Sequence, residues 1–299
     1  KRFFADMTET NEVAEGIPAV RDNSAKAWLP IMYGCDNFCT YCVVPYVRGR
    51  ERSRKSADII AEFKQIVAEG YKDITLLGQN VNSYGKGLDE DINFSKLIRE
   101  LNAIDGDFTI RFMTSHPKDL SDKLIYTMRD CDKICKQLHL PLQSGSDKIL
   151  KEMNRHYTRE KYISIIDKVK KEIPGITLTT DIIVGFPTET TEDFKQTVQM
   201  LEYVRYDSIF SFIYSRREGT PAAKLDFVLS DKEIHDNFNR LLETQNEISL
   251  AKNVAFEGKV VEVLVDGVSK TDSAMLSGRM DNTKIVNFKG SPDLAGQYV

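Results

Sequence analysis

The chain has 299 residues, of which 41% are hydrophobic and 29% are charged, and its formal net charge is −4. This composition is typical of a folded protein with one large α/β domain and a small one, and it argues against disorder. The negative balance excludes a globally basic surface, so any contact with RNA must be local. No apolar run approaches the ~20 residues that a membrane span needs. The first residues do not form a signal peptide, and we therefore predict a cytoplasmic protein with no membrane partner.

Strand-like apolar runs alternate with amphipathic helical patterns from about residue 28 to residue 250. Six β-then-α units predict parallel strands joined by right-handed crossovers, and a sheet that curves into a full or partial β/α barrel. Active sites in such barrels lie at the carboxyl ends of the strands. The predicted strands are residues 28–33, 74–77, 108–113, 135–140, 178–184 and 207–214, and the helices are residues 56–70, 94–101, 122–128, 147–153, 159–171, 190–201 and 230–248.

The two ends of the chain differ from this central pattern. Residues 1–24 show no periodicity, which predicts a linker from a missing N-terminal domain, followed by a core domain at 25–250. Residues 251–299 are rich in β-formers with an Asp266-Gly267 turn signal, which predicts an incomplete small β-barrel.

Three cysteines form a C-x3-C-x2-C run at Cys35, Cys39 and Cys42. Three thiolates can hold three irons of a [4Fe–4S] cluster. The fourth iron then has no protein ligand and can bind the amine and carboxylate of S-adenosylmethionine, whose reductive cleavage yields a deoxyadenosyl radical. A structural zinc site is the alternative, but no second cysteine pair or H-x3–5-H pair is present. Five cysteines also fit a disulfide framework poorly.

Other residues suggest plainer roles. Cys131 and Cys135 are predicted to be buried, inert thiols, and His116 and His139 to be core histidines whose ring nitrogens are satisfied by hydrogen bonds. A run of cations follows the third cysteine closely, and it is either a solvated loop or a site for phosphate or carboxylate groups. Its candidate RNA-binding residues are Arg48, Arg50, Arg52 and Arg54.

Longer motifs make the chain resemble the radical-SAM methylthiotransferases, and in particular the MiaB type, the tRNA 2-methylthio-N6-isopentenyladenosine synthases. The similarity spans about residues 25–299. The motifs are "GCDNFCTYCVVPYVRGRERSR" at 34–54, "LLGQNVNSY" at 76–84, "RFMTSHPKDL" at 111–120, "HLPLQSGS" at 139–146, "LTTDIIVGFP" at 178–187 and "FIYSRREGTPA" at 212–222.

This resemblance implies a partial, TIM-like β/α barrel of the radical SAM type, with one [4Fe–4S] cluster on the three cysteines. It implies a TRAM domain from near Asn253 that binds tRNA, and a second [4Fe–4S] cluster in an N-terminal domain. The implied reaction replaces the C2 hydrogen of isopentenylated adenosine, next to the anticodon, with a methylthio group. The implied partners are the tRNA anticodon stem-loop, S-adenosylmethionine and an electron donor such as flavodoxin or ferredoxin.

The resemblance also implies cofactor contacts at the strand ends. Tyr41 is expected against the adenine, although it could be a core aromatic. Gly78, in the turn 78–80, permits close backbone approach to the cofactor's amino group, although this segment could be a plain strand-end turn. The neutral side chains of Gln143 and Ser144 suit the ribose hydroxyls or the methionine carboxylate. Gly185 and Phe186 could cradle the adenine, although the proline that follows could simply end the strand. Asp181 could accept a hydrogen bond or be a satisfied buried carboxylate. The expected cofactor-binding residues are Tyr41, Gly78, Gln79, Asn80, Gln143, Ser144, Asp181, Gly185 and Phe186.

Two other functions stay open. One is a methylthiotransferase acting on a ribosomal protein or on threonylcarbamoyl-adenosine in tRNA, which "GQNVNSY" disfavours. The other is a non-catalytic, metal-stabilised RNA-binding module. Because three further cysteines for a second cluster are not found, we expect this piece to cleave the cofactor without completing methylthiolation.

Overall fold

The computed structural model describes Arg21 and residues 25–299. The linker predicted at residues 1–24 therefore lies outside the described residues, except for Arg21. The strands are β1 (Lys26–Pro30), β2 (Met32–Tyr33), β3 (Arg52–Ser53), β4 (Asp73–Leu77), β5 (Thr109–Phe112), β6 (Gln137–His139), β7 (Thr177–Val184), β8 (Ser208–Ile213), β9 (Val263–Val268), β10 (Leu276–Met280) and β11 (Ile285–Phe288).

Eight α-helices accompany these strands in the described part of the chain. Most begin at a Ser, Thr or Asn whose side chain accepts a hydrogen bond from the first turn, and Thr190 and Ser230 form full capping boxes. The helices are α1 (Val44–Arg48), α2 (Ser56–Ala68), α3 (Phe94–Asn102), α4 (Asp122–Asp130), α5 (Asp147–Glu152), α6 (Arg159–Glu172), α7 (Thr191–Val204) and α8 (Asp231–Val254).

Six parallel strands form the wall of a partial barrel, as predicted. They lie in the order β1-β4-β5 and β6-β7-β8, and a parallel bridge between Ile110 and Ile134 joins the two halves. Within the described residues β8 and β1 do not pair, so the barrel stays open on that side. The helices cover its outer face; Ala27 and Leu29 of β1, for example, are buried in one core with Phe63 of α2.

The first predicted strand, residues 28–33, divides into two. The backbone N–H of Ile31 donates to the Leu77 carbonyl and its own carbonyl accepts from Arg54, after which β2 turns away to pair antiparallel with β3. Strands of two residues carry no periodic signal, so sequence reasoning missed this hairpin. It is important because β2 and β3 bracket the cysteine loop at the carboxyl end of β1.

The C-terminal segment forms an antiparallel sheet in the order β11-β10-β9, with a further bridge from Leu264 to Tyr298. This sheet lies at the amino ends of the barrel strands, where Arg111 of β5 donates to the carbonyl oxygens of Met280 and Asp281. Helix α8 continues to Val254, so the predicted boundary at 250 falls inside a helix.

Every helix in the part of the chain that the structure describes is too short or too polar to cross a membrane.

Candidate cluster and cofactor site

The cysteine loop lies between β2 and α1, at the carboxyl end of the barrel. Gly34 begins it in the left-handed region, with φ of 74°, and a Cβ there would overlap the carbonyl oxygen of Arg50. The Cys35 N–H donates to the Gly49 carbonyl at 3.2 Å, which closes the base of the loop. Glycine is therefore required at position 34, because both the φ and the close approach exclude a side chain.

A second element, the C-terminal end of α5, holds the other side of the loop. Asn154 Nδ2 donates to the carbonyl oxygens of Phe38 at 3.0 Å and Asn37 at 3.3 Å. The Thr40 hydroxyl donates to the Glu152 carbonyl at 2.8 Å, and the Thr40 N–H donates to Met153 at 3.1 Å. The backbone around Cys39 is thus fixed by hydrogen bonds from residues more than 100 positions away.

The three loop cysteines form no disulfide in the described structure, with Cys39 buried and the other two half-buried. Burial raises the pKa of the Cys35 and Cys42 thiols, and each is also raised by the nearby Cys39 sulfur. In the described residues no three His, Cys, Asp or Glu side chains converge closely enough to hold a single metal ion.

Arg155 lies directly behind Cys39 and is 5% exposed. Its Nη1 is 3.5 Å from Cys39 Sγ, its Nη2 donates to the Pro141 carbonyl at 3.0 Å, and its Nε donates to the Tyr157 hydroxyl at 3.2 Å. Its guanidinium also stacks over the Tyr157 ring at 5.3 Å. Sequence reasoning missed Arg155, because an arginine just after a short helix usually lies at the surface.

The residues present fit a [4Fe–4S] cluster on two grounds. The donor set consists of thiols alone, which is the set that iron–sulfur clusters use. In addition, the cation beside Cys39 has hydrogen-bond partners in the described structure but no carboxylate among them. A buried cation is costly without a counter-charge, and thiolates on a cluster would provide one.

Tyr41 and Phe186 come together in a small apolar cluster at the barrel mouth. Tyr41 packs against a buried group that includes Ile149, Met153, Phe186 and Tyr214. Phe186 is only 1% exposed and contacts Tyr214 edge to face. The structure therefore brings these two predicted residues together, while their contact with a cofactor stays a prediction.

Gly78, Gln79 and Asn80 follow β4, as predicted. A Cβ on Gly78 would overlap the Met32 side chain, so glycine is needed there for packing. Asn80 Nδ2 donates to Asp119 at 2.7 Å, whereas its Oδ1 and the Oε1 of Gln79 are buried and have no hydrogen-bond partner among the residues that the structure describes. Unpartnered buried oxygens are uncommon and suit a ligand that donates hydrogen bonds.

Gln143 and Ser144 follow β6, and both are buried. Gln143 has φ of 70° and its backbone pairs with β7 through Asp181 and Ile183. Ser144 is fully buried, and its hydroxyl lies 3.4 Å from the Thr197 hydroxyl and accepts from the Ser146 N–H. The prediction of a cofactor contact for Ser144 is not supported, because its polar group is used inside the protein.

Asp181 and Gly185 lie on β7 and at its end. Asp181 is half-buried and its Oδ1 is 3.5 Å from His139 Nε2 inside the barrel. Gly185 has φ of 73°, a Cβ there would press on Ile234 of α8, and its N–H donates to Glu189 at 2.7 Å. Gly185 is therefore explained by packing, and Asp181 remains a candidate contact.

The arginine run divides into two exposed and two inward-facing side chains. Arg48 and Arg50 are exposed, and Arg50 lies 3.3 Å from Asp36 and over the Phe38 ring. Arg52 is half-buried and donates to the Arg48 carbonyl. Arg54 is 6% exposed, donates to the Pro30 carbonyl at 2.7 Å and pairs with Glu62 at 2.9 Å. The structure contradicts an RNA contact for Arg54, because its charge is already neutralised inside the protein.

Three exposed aromatic side chains stand at the two edges of the open barrel. Trp28 of β1 is 55% exposed, and Phe210 and Phe212 of β8 are 50% and 54% exposed. Phe210 contacts the His139 ring and pairs in register with Asp181, so it faces the barrel interior. Alternation along β8 was the sequence signal that could have identified Phe210 and Phe212. They give the lumen flat apolar surfaces that could receive a planar ring.

His116 and His139 are buried, as predicted, and Cys131 and Cys135 are buried too. Burial, aided by the Arg155 cation, lowers the pKa of His116 to about 2, so its ring is neutral. His116 Nε2 has no partner among the described residues and lies beside Tyr157.

Family models match two parts of the chain. The radical SAM superfamily model matches residues 29–201, and the TRAM domain model matches residues 254–299. The chain is 60% identical over 293 residues to the tRNA-2-methylthio-N(6)-dimethylallyladenosine synthase of Clostridium perfringens (strain 13 / Type A), covering 98% of this chain and 66% of the relative. A protein of the same name from Clostridium beijerinckii is 58% identical and is covered to 64%. The chain thus spans just under two thirds of the length of these relatives.

Solved structures share the fold at low identity. The radical S-adenosylmethionine methyltransferase TsrM from Kitasatospora setae has a TM-score of 0.57 at 16% identity, over 71% of this chain and 42% of that one. The coproporphyrinogen III oxidase HemN from Escherichia coli has a TM-score of 0.54 at 13% identity, over 86% and 67%. These likenesses confirm the partial barrel and carry no argument about substrate.

Proposed function

Because the chain belongs to the radical SAM superfamily, we propose that Cys35, Cys39 and Cys42 hold a [4Fe–4S] cluster with one iron open to S-adenosylmethionine. Members of this superfamily use that cluster and that cofactor. The observation that carries the proposal is the loop of three thiols at the carboxyl end of β1, held from both sides and backed by Arg155.

We propose further that the protein containing this chain adds a methylthio group to N6-isopentenyladenosine in tRNA. The support is the 60% identity over 98% of this chain to a synthase named for that product, together with the TRAM match. When bound, the cluster and cofactor supply a radical able to remove the C2 hydrogen of adenine. The open lumen offers the chain's own contribution, since Trp28 and Phe212 present faces for a planar base and Asp181 an acceptor for an N–H group.

Iron binding by cysteine variants tests the proposed cluster. Each of Cys35→Ala, Cys39→Ala and Cys42→Ala removes one thiolate, so anaerobic reconstitution with iron and sulfide is expected to give much less iron and less visible absorbance than the unchanged chain. Cys131→Ala is the matched control, because that buried thiol lies outside the loop; it and Cys135→Ala are expected to retain their iron. Full iron content in any loop variant would refute the assignment.

The RNA contact is proposed for Arg48 and Arg50, the two exposed cations beside the loop. Each phosphate they neutralise contributes about 0.7–0.9 to the salt dependence of binding, so replacing both with Ala is expected to flatten the slope for an anticodon stem-loop by roughly 1.5. Replacing the exposed Lys64 and Lys232 on α2 and α8 changes the net charge equally and is the control. An equal slope in the arginine variant and the control would remove this loop as the RNA contact.

We also propose an electron donor and a cellular location for this protein. A flavodoxin or ferredoxin would supply the electron that cofactor cleavage needs, and a cytoplasmic location suits free cysteines at Cys35, Cys39 and Cys42.

A further inference from the structure

Arg155 is a buried cation with no assigned role in the reaction. The residue is 5% exposed, and within the described part of the chain its guanidinium has three polar contacts: the Tyr157 hydroxyl, the Pro141 carbonyl and the Cys39 sulfur. Of these, only the Cys39 sulfur can become an anion at neutral pH once iron displaces its proton. With a cluster bound, the Cys39 thiolate would therefore be the anion among these three contacts.

The guanidinium is also fixed in place. The Tyr157 hydroxyl accepts from Arg155 Nε and donates to the Leu142 carbonyl at 2.7 Å, while the Tyr157 ring stacks on the guanidinium. The Arg155 N–H donates to the Leu150 carbonyl at 2.9 Å at the end of α5. Contacts on several sides leave Nη1 aimed at Cys39, so the positive charge does not have to move when charge at the cysteine changes.

We propose that Arg155 is the counter-ion of the cluster and raises its reduction potential, so that the electron needed for cofactor cleavage enters more readily. This inference rests on the proposed cluster. Three thiolates leave the oxidised cluster negative, and reduction adds one more negative charge. A fixed cation at a ligand sulfur stabilises the reduced form more than the oxidised form, and net charge and hydrogen bonds to sulfur are the factors that set such potentials.

Redox titration of three reconstituted chains without S-adenosylmethionine tests the inference, since the cofactor's carboxylate is then absent. The chains are the unchanged one, Arg155→Gln, which loses the charge, and Arg155→Lys, which keeps it. At a fixed potential the ratio of reduced to oxidised cluster, read by electron paramagnetic resonance, is expected to fall about tenfold in Arg155→Gln, a shift of about 59 mV for one electron. Arg155→Lys is expected to stay close to the unchanged chain.

Each outcome decides the matter. A loaded Arg155→Gln cluster with an unchanged potential overturns the inference and leaves the cluster assignment standing. If Arg155→Gln loads no cluster while Arg155→Lys does, charge is required and the inference is supported. If neither variant loads, a positive charge at position 155 is not sufficient for the cluster and the inference fails. An unchanged chain that binds no cluster refutes the proposed function itself, and this inference with it.

Discussion

At the scale of single residues, Glu189 connects the end of β7 to the start of α7. Its Oε2 accepts the Gly185 N–H at 2.7 Å, and the side chain is almost fully buried. Burial raises the pKa of this carboxyl to about 7, with a further rise from Asp193 and a lowering from the Gly185 N–H and Lys148. At neutral pH the loop that carries Phe186 therefore contains a carboxyl group near its titration midpoint.

The sign of the resulting pH dependence follows from this raised pKa. Glu189 binds its proton more tightly in the folded state, and this tighter binding stabilises the fold. The stabilisation is fully present below about pH 4.5 and is lost as pH rises through about 7. Because glutamine does not titrate, Glu189→Gln removes this pH-dependent loss of stability. The variant is expected to gain stability relative to the unchanged chain between pH 5 and pH 8, by up to about 3 kcal/mol.

Urea unfolding at the two pH values measures this gain. Glu192→Gln is the control, because Glu192 stands exposed in the first turn of α7 and should leave the pH profile nearly unchanged. A pH profile of Glu189→Gln parallel to that of the unchanged chain would show that Glu189 does not titrate near neutrality.

At the scale of elements, the C-terminal end of α5 determines how firmly the cysteine loop is held. Asn154 has φ of 60°, and its side chain donates to two loop carbonyls. Asn154→Gly keeps the left-handed backbone but removes both hydrogen bonds. We expect the free energy of unfolding to change by about 1 kcal/mol or less, while reconstituted iron is lost to a chelator several times faster.

Arg205→Gly provides the matched comparison for this variant. Arg205 also ends a helix in the left-handed region, with φ of 53°, but it is the C-terminal cap of α7 and does not lie in the contacts that hold the cysteine loop. Its rate of iron loss should equal that of the unchanged chain. Equal rates in the Asn154 and Arg205 variants would mean that α5 does not hold the loop.

Most barrel strands and helices were predictable because the strands are apolar runs and six of the eight described helices follow a Ser, Thr or Asn cap. The capping boxes at Thr190 and Ser230 lie where their sequences indicate. The β2–β3 hairpin and the five-residue helix α1 were not predictable, since elements this short show no period. The hairpin and this short helix are stabilised by tertiary contacts alone.

The candidate site was predictable in part, for a related reason. Cysteine spacing identifies the loop without any knowledge of the fold. The burial of Arg54 depends on Glu62 and the Pro30 carbonyl, and that of Arg155 on Pro141 and Tyr157. The burial of Arg54 and Arg155 cannot be recognised from their neighbours along the chain, because both arginines lie among residues that are usually exposed.

At the scale of the whole molecule, Arg111 joins the amino ends of the barrel strands to the C-terminal sheet. Its Nε pairs with Asp73 at 2.8 Å, and its Nη1 donates to the Asp281 carbonyl at 2.5 Å and lies 2.7 Å from Cys135 Sγ. Both charged side chains are buried. The RNA-binding type of domain that the TRAM match indicates is thus attached to the end of the barrel opposite the cysteines.

Loss of this buried pair should be costly. Arg111→Met leaves Asp73 buried without its cation, and we expect the free energy of unfolding to fall by about 3–5 kcal/mol. The double variant Arg111→Met with Asp73→Leu should lose less, because no unpaired charge remains. Arg129→Met breaks an exposed pair with Glu172 and should cost far less. Denaturant unfolding checks all three variants. A double variant less stable than Arg111→Met would contradict the claim that the unpaired Asp73 charge causes the loss.

Cofactor cleavage by the reconstituted chain tests the central claim most directly. The chain should be loaded anaerobically with iron and sulfide, reduced with dithionite and given S-adenosylmethionine, and 5′-deoxyadenosine should then be quantified. We predict deoxyadenosine from the unchanged chain and from Cys131→Ala, and only background from Cys35→Ala, Cys39→Ala and Cys42→Ala. A fully loaded, reduced chain that releases no deoxyadenosine, or loop variants that release as much as the unchanged chain, would contradict it.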